Sequence, residues 1–145
     1  MTLKNTNASV RVKSRIDNDG EITETDSIVD AKFAVKNGKY YIIYKEDIVS
    51  DMSSCNTTLK IDENGVVSVK RTGAVNSVLV CETGKKHSSM YSFEFGAIRM
   101  ETDTKSITNS LTPNGGELEL VYDLEIGANK SKNRLNITVK EKINE

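Results

Sequence analysis

Ile28-Val29-Asp30-Ala31-Lys32-Phe33-Ala34-Val35-Lys36-Asn37-Gly38-Lys39-Tyr40-Tyr41-Ile42-Ile43-Tyr44-Lys45-Glu46 is the stretch on which the fold turns. Asn-Gly tolerates positive φ at both central positions, which two-residue hairpins require because their twist must match that of the flanking strands. Placing the turn at Asn37-Gly38 fixes the register: Lys36 faces Lys39, Val35 faces Tyr40 and Phe33 faces Ile42. Val35, Phe33, Tyr40, Ile42 and Tyr44 then share one face, as expected for a strand pair with one dry side.

The same period of two runs outward in both directions. Val10, Val12, Ser14 and Ile16 alternate with Arg11, Lys13 and Arg15, and a polar stretch from Asp17 to Asp26 separates them from the hairpin. On the C-terminal side, Asn56–Asp62 pairs with Val66–Thr72. A bare two-residue loop at Asn64-Gly65 would set Ile61 against Ser68. A three-residue loop with Gly65 in the left-handed region sets Ile61 against Val67 and Leu59 against Val69, and turns Arg71 inward.

Ser77–Thr83 and Ser89–Phe95 follow, with a polar turn at Gly84-Lys85-Lys86-His87 between them and Tyr91, Phe93 and Phe95 expected on one face. Gly96 suggests a kink, after which Ile98, Met100 and Thr102 resume the alternation towards Ile107 and Leu111, as one bent strand or two. Pro113-Asn114-Gly115-Gly116 marks a turn. Leu118, Leu120, Tyr122, Leu124 and Ile126 then alternate with carboxylates, and a last strand runs from about Asn133 to Ile143 with Leu135, Ile137 and Val139 inward.

Short turns and period-two strands with almost no helical signal define an all-β protein. An antiparallel meander β-barrel of about eight to ten strands accounts for the pattern better than a parallel sheet, with a sandwich as its rival. Eight such strands would close at a radius near 8 Å and ten near 10 Å, which large side chains can fill or leave as one small cavity.

The 145 residues predict a single domain over residues 1–145, with its core at about 8–143. Twenty basic against twenty-one acidic residues give a net charge of -1, which argues against a general grip on nucleic acid or an anionic membrane. No apolar run has the length of a membrane helix, and the polar N-terminus lacks a secretory signal, so a cytoplasmic location is expected. Cys55 and Cys81 are then reduced thiols, and the N-x-Ser/Thr triplets at Asn7, Asn56, Asn129 and Asn136 carry no meaning.

Gly38-Lys39-Tyr40-Tyr41-Ile42-Ile43-Tyr44-Lys45-Glu46, Thr57-Thr58-Leu59-Lys60-Ile61, Arg71-Thr72-Gly73-Ala74, Tyr91-Ser92-Phe93-Glu94-Phe95-Gly96 and Gly116-Glu117-Leu118 to Tyr122-Asp123-Leu124 occur in that order. In this string the chain resembles the YwiB-like family of small bacterial proteins, roughly from Val10 to Glu141. The resemblance implies a calycin-like, lipocalin-like meander barrel and assigns no catalytic residue. The chain has no tryptophan, so it lacks the first-strand tryptophan that closes one end of lipocalins proper.

Arg71 is the most conspicuous candidate, because alternation puts its guanidinium on the face of Val67 and Val69, where its donors need acceptors. A bound anion could supply them. The plainer reading is that Arg71 reaches the rim and pairs with Glu94 or stacks on a tyrosine. Tyr40, Tyr44, Tyr91 and Tyr122 are expected to face inward, where hydroxyls on apolar rings could orient an amphipathic ligand or simply pack. Met90 and Met100 are expected to fill the core, Cys81 to be buried, and Cys55 to lie near a loop within reach of solvent. His87 reads as a turn residue without a paired carboxylate, and Glu94, Glu101 and Asp103 as a wet strand face. No metal-ligand spacing, phosphate loop or nucleophile motif is present, so neither enzyme activity nor a cofactor is expected. Two functions follow: a non-enzymatic binder of a small apolar or amphipathic molecule through Arg71, Tyr40, Tyr44, Tyr91 and Tyr122, or a filled barrel acting as a homodimeric interaction protein.

Overall fold

Ten strands form one antiparallel sheet in a computed structural model that describes residues 3–48 and 53–142. They are β1 (Leu3–Asn18), β2 (Glu21–Lys36), β3 (Lys39–Ile48), β4 (Ser53–Ile61), β5 (Val67–Gly73), β6 (Ser77–Cys81), β7 (Lys86–Phe93), β8 (Gly96–Asn109), β9 (Gly115–Ile126) and β10 (Asn129–Glu141). Each pairs with its sequence neighbours except that β6 and β7 form no ladder, and β1 pairs with β10, giving the order β6-β5-β4-β3-β2-β1-β10-β9-β8-β7. β6 meets β7 through a bridge between Asn76 and Ser92, so the sheet curls into a nearly closed barrel with a seam there. Ile143, the expected end of the last strand, lies outside the described residues, as do Met1 and Thr2.

The two expected hairpin registers hold. Lys36 pairs with Lys39, Val35 with Tyr40 and Phe33 with Ile42 around a turn in which Asn37 and Gly38 have φ of 53° and 76°. Ile61 faces Val67 and Leu59 faces Val69 beyond Gly65.

Four expectations fail for local reasons. The polar stretch from Asp17 to Asp26 is no spacer: β1 and β2 pair along their whole length around Asp19-Gly20, both at positive φ, and the arm is polar because solvent reaches it. Gly96 does not kink one bent strand; the two-strand alternative holds, since Phe93 pairs with Gly96 across a Glu94-Phe95 turn, and Phe95, expected on the inner face, leaves it and is 88% exposed. Met90 points out, and of these two only Met100 fills the core. Cys55 is buried, its thiol directed at the Val75 carbonyl.

Between Thr102 and Ile107 the inward positions change from even to odd numbers, because a bulge at Thr104–Ser106 inserts one residue. Strands whose turns alternate between two ends give the barrel its polarity. One end carries the turns at 37–38, 62–66 and 82–85, and the other those at 19–20, 74–76, 94–95 and 127–128.

Inward side chains form rows along the ladders. Val35, Tyr40, Ile61, Val67 and Cys81 make one row, and Phe33, Ile42, Leu59, Val69 and Leu79 the next. Phe33, Ile42, Leu59 and Ile61 are fully enclosed, and Leu118, Leu120 and Ile137 meet them from the opposite wall. Burying side chains of this size stabilises the fold by about 1.5–3 kcal/mol each.

Candidate functional site

One rung further along, the apolar pattern stops. Ala31, Tyr44, Thr57, Arg71 and Ser77 lie side by side across β2 to β6, and Glu46 follows Tyr44 on the inner face of β3. Opposite them, Thr104, Tyr122 and Asn133 form a polar row across β8 to β10. Period-two alternation puts these groups inside, and the ladder registers bring them to one level.

Glu46 is the hub. Its Oε1 accepts from Thr57 Oγ1 at 2.7 Å and from Arg71 Nε at 3.2 Å. The Arg71 and Glu46 side chains keep 31% and 37% of their surface, so the ion pair sits at the mouth rather than in the sealed core. Burial works against the Arg71 charge, but the Glu46 carboxylate outweighs it and holds the guanidinium above its ordinary pKa.

Tyr44 and Tyr122 complete the group from opposite walls. Burial, reinforced by the Glu46 charge, raises the Tyr44 phenol well above its usual range. Burial, then the neighbouring Cys81, pushes Tyr122 up to about 12. Cys81 is itself pushed up to about 11 by burial, which the Thr104 hydroxyl against its sulfur partly offsets. A thiol with that pKa is protonated at neutral pH and is a poor nucleophile.

The sequence candidates therefore divide. Arg71, Tyr44 and Tyr122 come together, and the Arg71 charge partly offsets the effect of burial on both phenols. Tyr40 does not join them: it stacks on Phe33 at 6.0 Å between ring centres, in the apolar rows. Tyr91 packs beside the core with its ring tilted against Phe93 at 6.3 Å, on the wall next to Ser77. Arg71 pairs with Glu46 and not with Glu94, which the two-residue turn carries out of the barrel. Sequence reasoning missed Glu46, although Tyr40, Ile42, Tyr44, Glu46 is an unbroken inward alternation.

His87 also differs from expectation. It lies in β7, and its Nε2 is 3.0 Å from Glu82 Oε1, because the β6–β7 turn folds the two together. No cluster of His, Cys, Asp or Glu suited to a metal ion occurs among the described residues.

A meander barrel with one apolar end and a polar mouth built on an arginine–carboxylate pair is the class that fold and site define. Residues 10–137 match the model of a domain of unknown function, DUF1934, and the chain belongs to that family. It is 32% identical over 119 residues to the uncharacterized beta-barrel protein YwiB of Bacillus subtilis, covering 82% of each chain. The crystal structure of that organism's ywiB protein superposes with a TM-score of 0.87 at 29% identity, covering 97% of this chain and 96% of the other.

Proposed function

We propose that the protein is a non-enzymatic, calycin-like binder of one small amphipathic molecule, whose polar head meets Arg71, Tyr44 and Tyr122 at the barrel mouth. The observation that carries this reading is the unspent hydrogen-bonding capacity there. Arg71 engages Glu46 through Nε, and among the described residues no other contact engages its two Nη groups or the Tyr44 and Tyr122 hydroxyls. Guanidinium N–H groups facing a half-open mouth favour a head group rich in acceptors, such as a carboxylate or sulfonate. Tyr91, Phe93 and Ile98, all partly exposed on the adjoining wall, offer apolar surface for a tail. Both cysteines are free and buried thiols, which suits a cytoplasmic setting.

Anilinonaphthalene sulfonate, an apolar body with one anionic group, tests the site. The native protein should bind it with enhanced fluorescence, and native mass spectrometry should give one molecule per chain. Arg71→Met should weaken binding at least tenfold, equivalent to about 1.4 kcal/mol, while leaving the urea midpoint within reach of the parent. Absence of binding by the parent, or equal binding by Arg71→Met, defeats the reading.

A further inference from the structure

β2 pairs with β1 along its whole length but with β3 only from Ala31 to Lys36. Residues 21–30 therefore have β1 on one side and, among the described residues, no strand on the other. The two-residue turn makes Asn18 and Glu21 a hydrogen-bonded pair, so alternate residues from Glu21 bond to β1. Ile22, Glu24, Asp26, Ile28 and Asp30 then direct their N–H and C=O groups out of the sheet edge. Natural edges of this length are blunted by charged side chains, lysine above all, by proline or by a bulge. Residues 21–30 carry the carboxylates Glu21, Glu24, Asp26 and Asp30 but neither lysine nor proline, and the β1–β2 register runs unbroken.

The side chains along this edge are symmetric about Thr25. Ile22 and Ile28, which are 47% and 70% exposed, stand on one face at equal distances from it. Turning a second copy about a twofold axis at Thr25 sets Ile22 against the partner's Ile28 and Thr23 against the partner's Ser27. Glu24 meets the partner's Asp26, but each arrives neutralised: Asp26 accepts from Arg11 at 2.7 and 2.9 Å, and Glu24 lies 3.4 Å from Arg15. An axis at Glu24 would set Ile22 against Asp26, and one at Asp26 would set Ile22 against Asp30. Of these three the Thr25 axis alone matches apolar with apolar, and it engages the greatest length of the free edge, bringing the outward-pointing backbone groups together as about eight intermolecular hydrogen bonds.

We infer that two copies of this chain join through antiparallel pairing of their β2 edges, residues 21–30, about a twofold axis at Thr25. The partner is a second copy, and the interface is isologous. It is independent of whether the barrel mouth takes a ligand.

The test is positional. Light scattering of the parent at about 100 µM should give twice 16.0 kDa. Ile28→Lys should reduce that to one subunit without moving the urea midpoint measured on dilute protein, since Ile28 is largely bare in its own copy. Ile22→Lys combined with Ile28→Glu, which opposes unlike charges across the axis, should restore the dimer. In Thr25→Cys the two new thiols face each other at a non-hydrogen-bonded pair, about 4.5 Å between Cα atoms and so within disulfide range. Mild oxidation should crosslink it at least tenfold faster than Thr23→Cys. A monomeric parent, a dimer that survives Ile28→Lys, or equal crosslinking of the two cysteine variants overturns the inference.

Discussion

Leu59 and Thr57 are next-but-one neighbours on β4, both buried and both facing the barrel axis, yet they belong to different environments. Leu59 sits among Ile42, Val69 and Phe33, where the interior is filled by branched and aromatic side chains. Thr57 sits between Tyr44 and Arg71 and donates to Glu46. Two residues along a strand span only about 6.8 Å. Within that distance the interior changes from packing that resists water to a hydrogen-bonded group that meets it. A barrel stabilised at one end can carry polarity at the other, because the apolar rows supply the burial that the mouth forgoes.

Leu59→Ala should break the apolar end, costing about 2–5 kcal/mol through lost transfer energy and an unfilled cavity. Urea denaturation measures it, and a loss under 1 kcal/mol would mean that the apolar rows are not the stabilising half. High pH probes both levels next. Cys81 and Tyr122 are neutral groups whose folded pKa values lie above their ordinary ones, so their contribution is complete at lower pH and fades as pH rises through about 11 and 12. The stability of the parent should fall from about pH 9 upward. Cys81→Ala should remove roughly 2–3 kcal/mol of that decline between about pH 9 and 11, as a series of urea titrations would reveal. The smallest expected effect is at the polar row. Thr57→Val should cost about 1.5–2 kcal/mol, the low end for a hydrogen bond to a charged acceptor because the Glu46 carboxylate is partly exposed. If it costs as much as Leu59→Ala, the two levels are one continuous core and the contrast fails.

Legibility in the sequence follows the same division. The apolar rows could be read because Phe33, Ile42, Leu59 and Val69 are opposed by turns whose geometry Asn37-Gly38 and Gly65 dictate. Polar strands could not, because solvent imposes no alternation on an arm exposed along both faces; the Asp19-Gly20 pair was the only sign of the long β1–β2 hairpin. Arg71, Tyr44 and Tyr122 were each traceable to the inner face one strand at a time. Their convergence depends on curvature and on distant ladders, and neither is encoded in local spacing. Glu46 was overlooked because a carboxylate at a strand end ordinarily faces water, and here it faces an arginine two strands away. Tyr91 and Phe95 show the converse, since a two-residue turn at Glu94-Phe95 lifts one aromatic clear while its neighbour stays packed.

The ladder between β1 and β10 also governs the order in which this molecule can be completed. These two strands lie mid-sheet, yet they come from opposite ends of the described chain, with Ala8 beside Glu141 and Val10 beside Val139. A chain emerging from the ribosome can zip its hairpins one after another, but β1 must wait for the final strand before its second side is covered. Until then two half-walls hang from a single unfinished margin. Closure of the barrel thus waits for β10, and a truncation that removes β10 would strand the whole wall at the moment before it shuts.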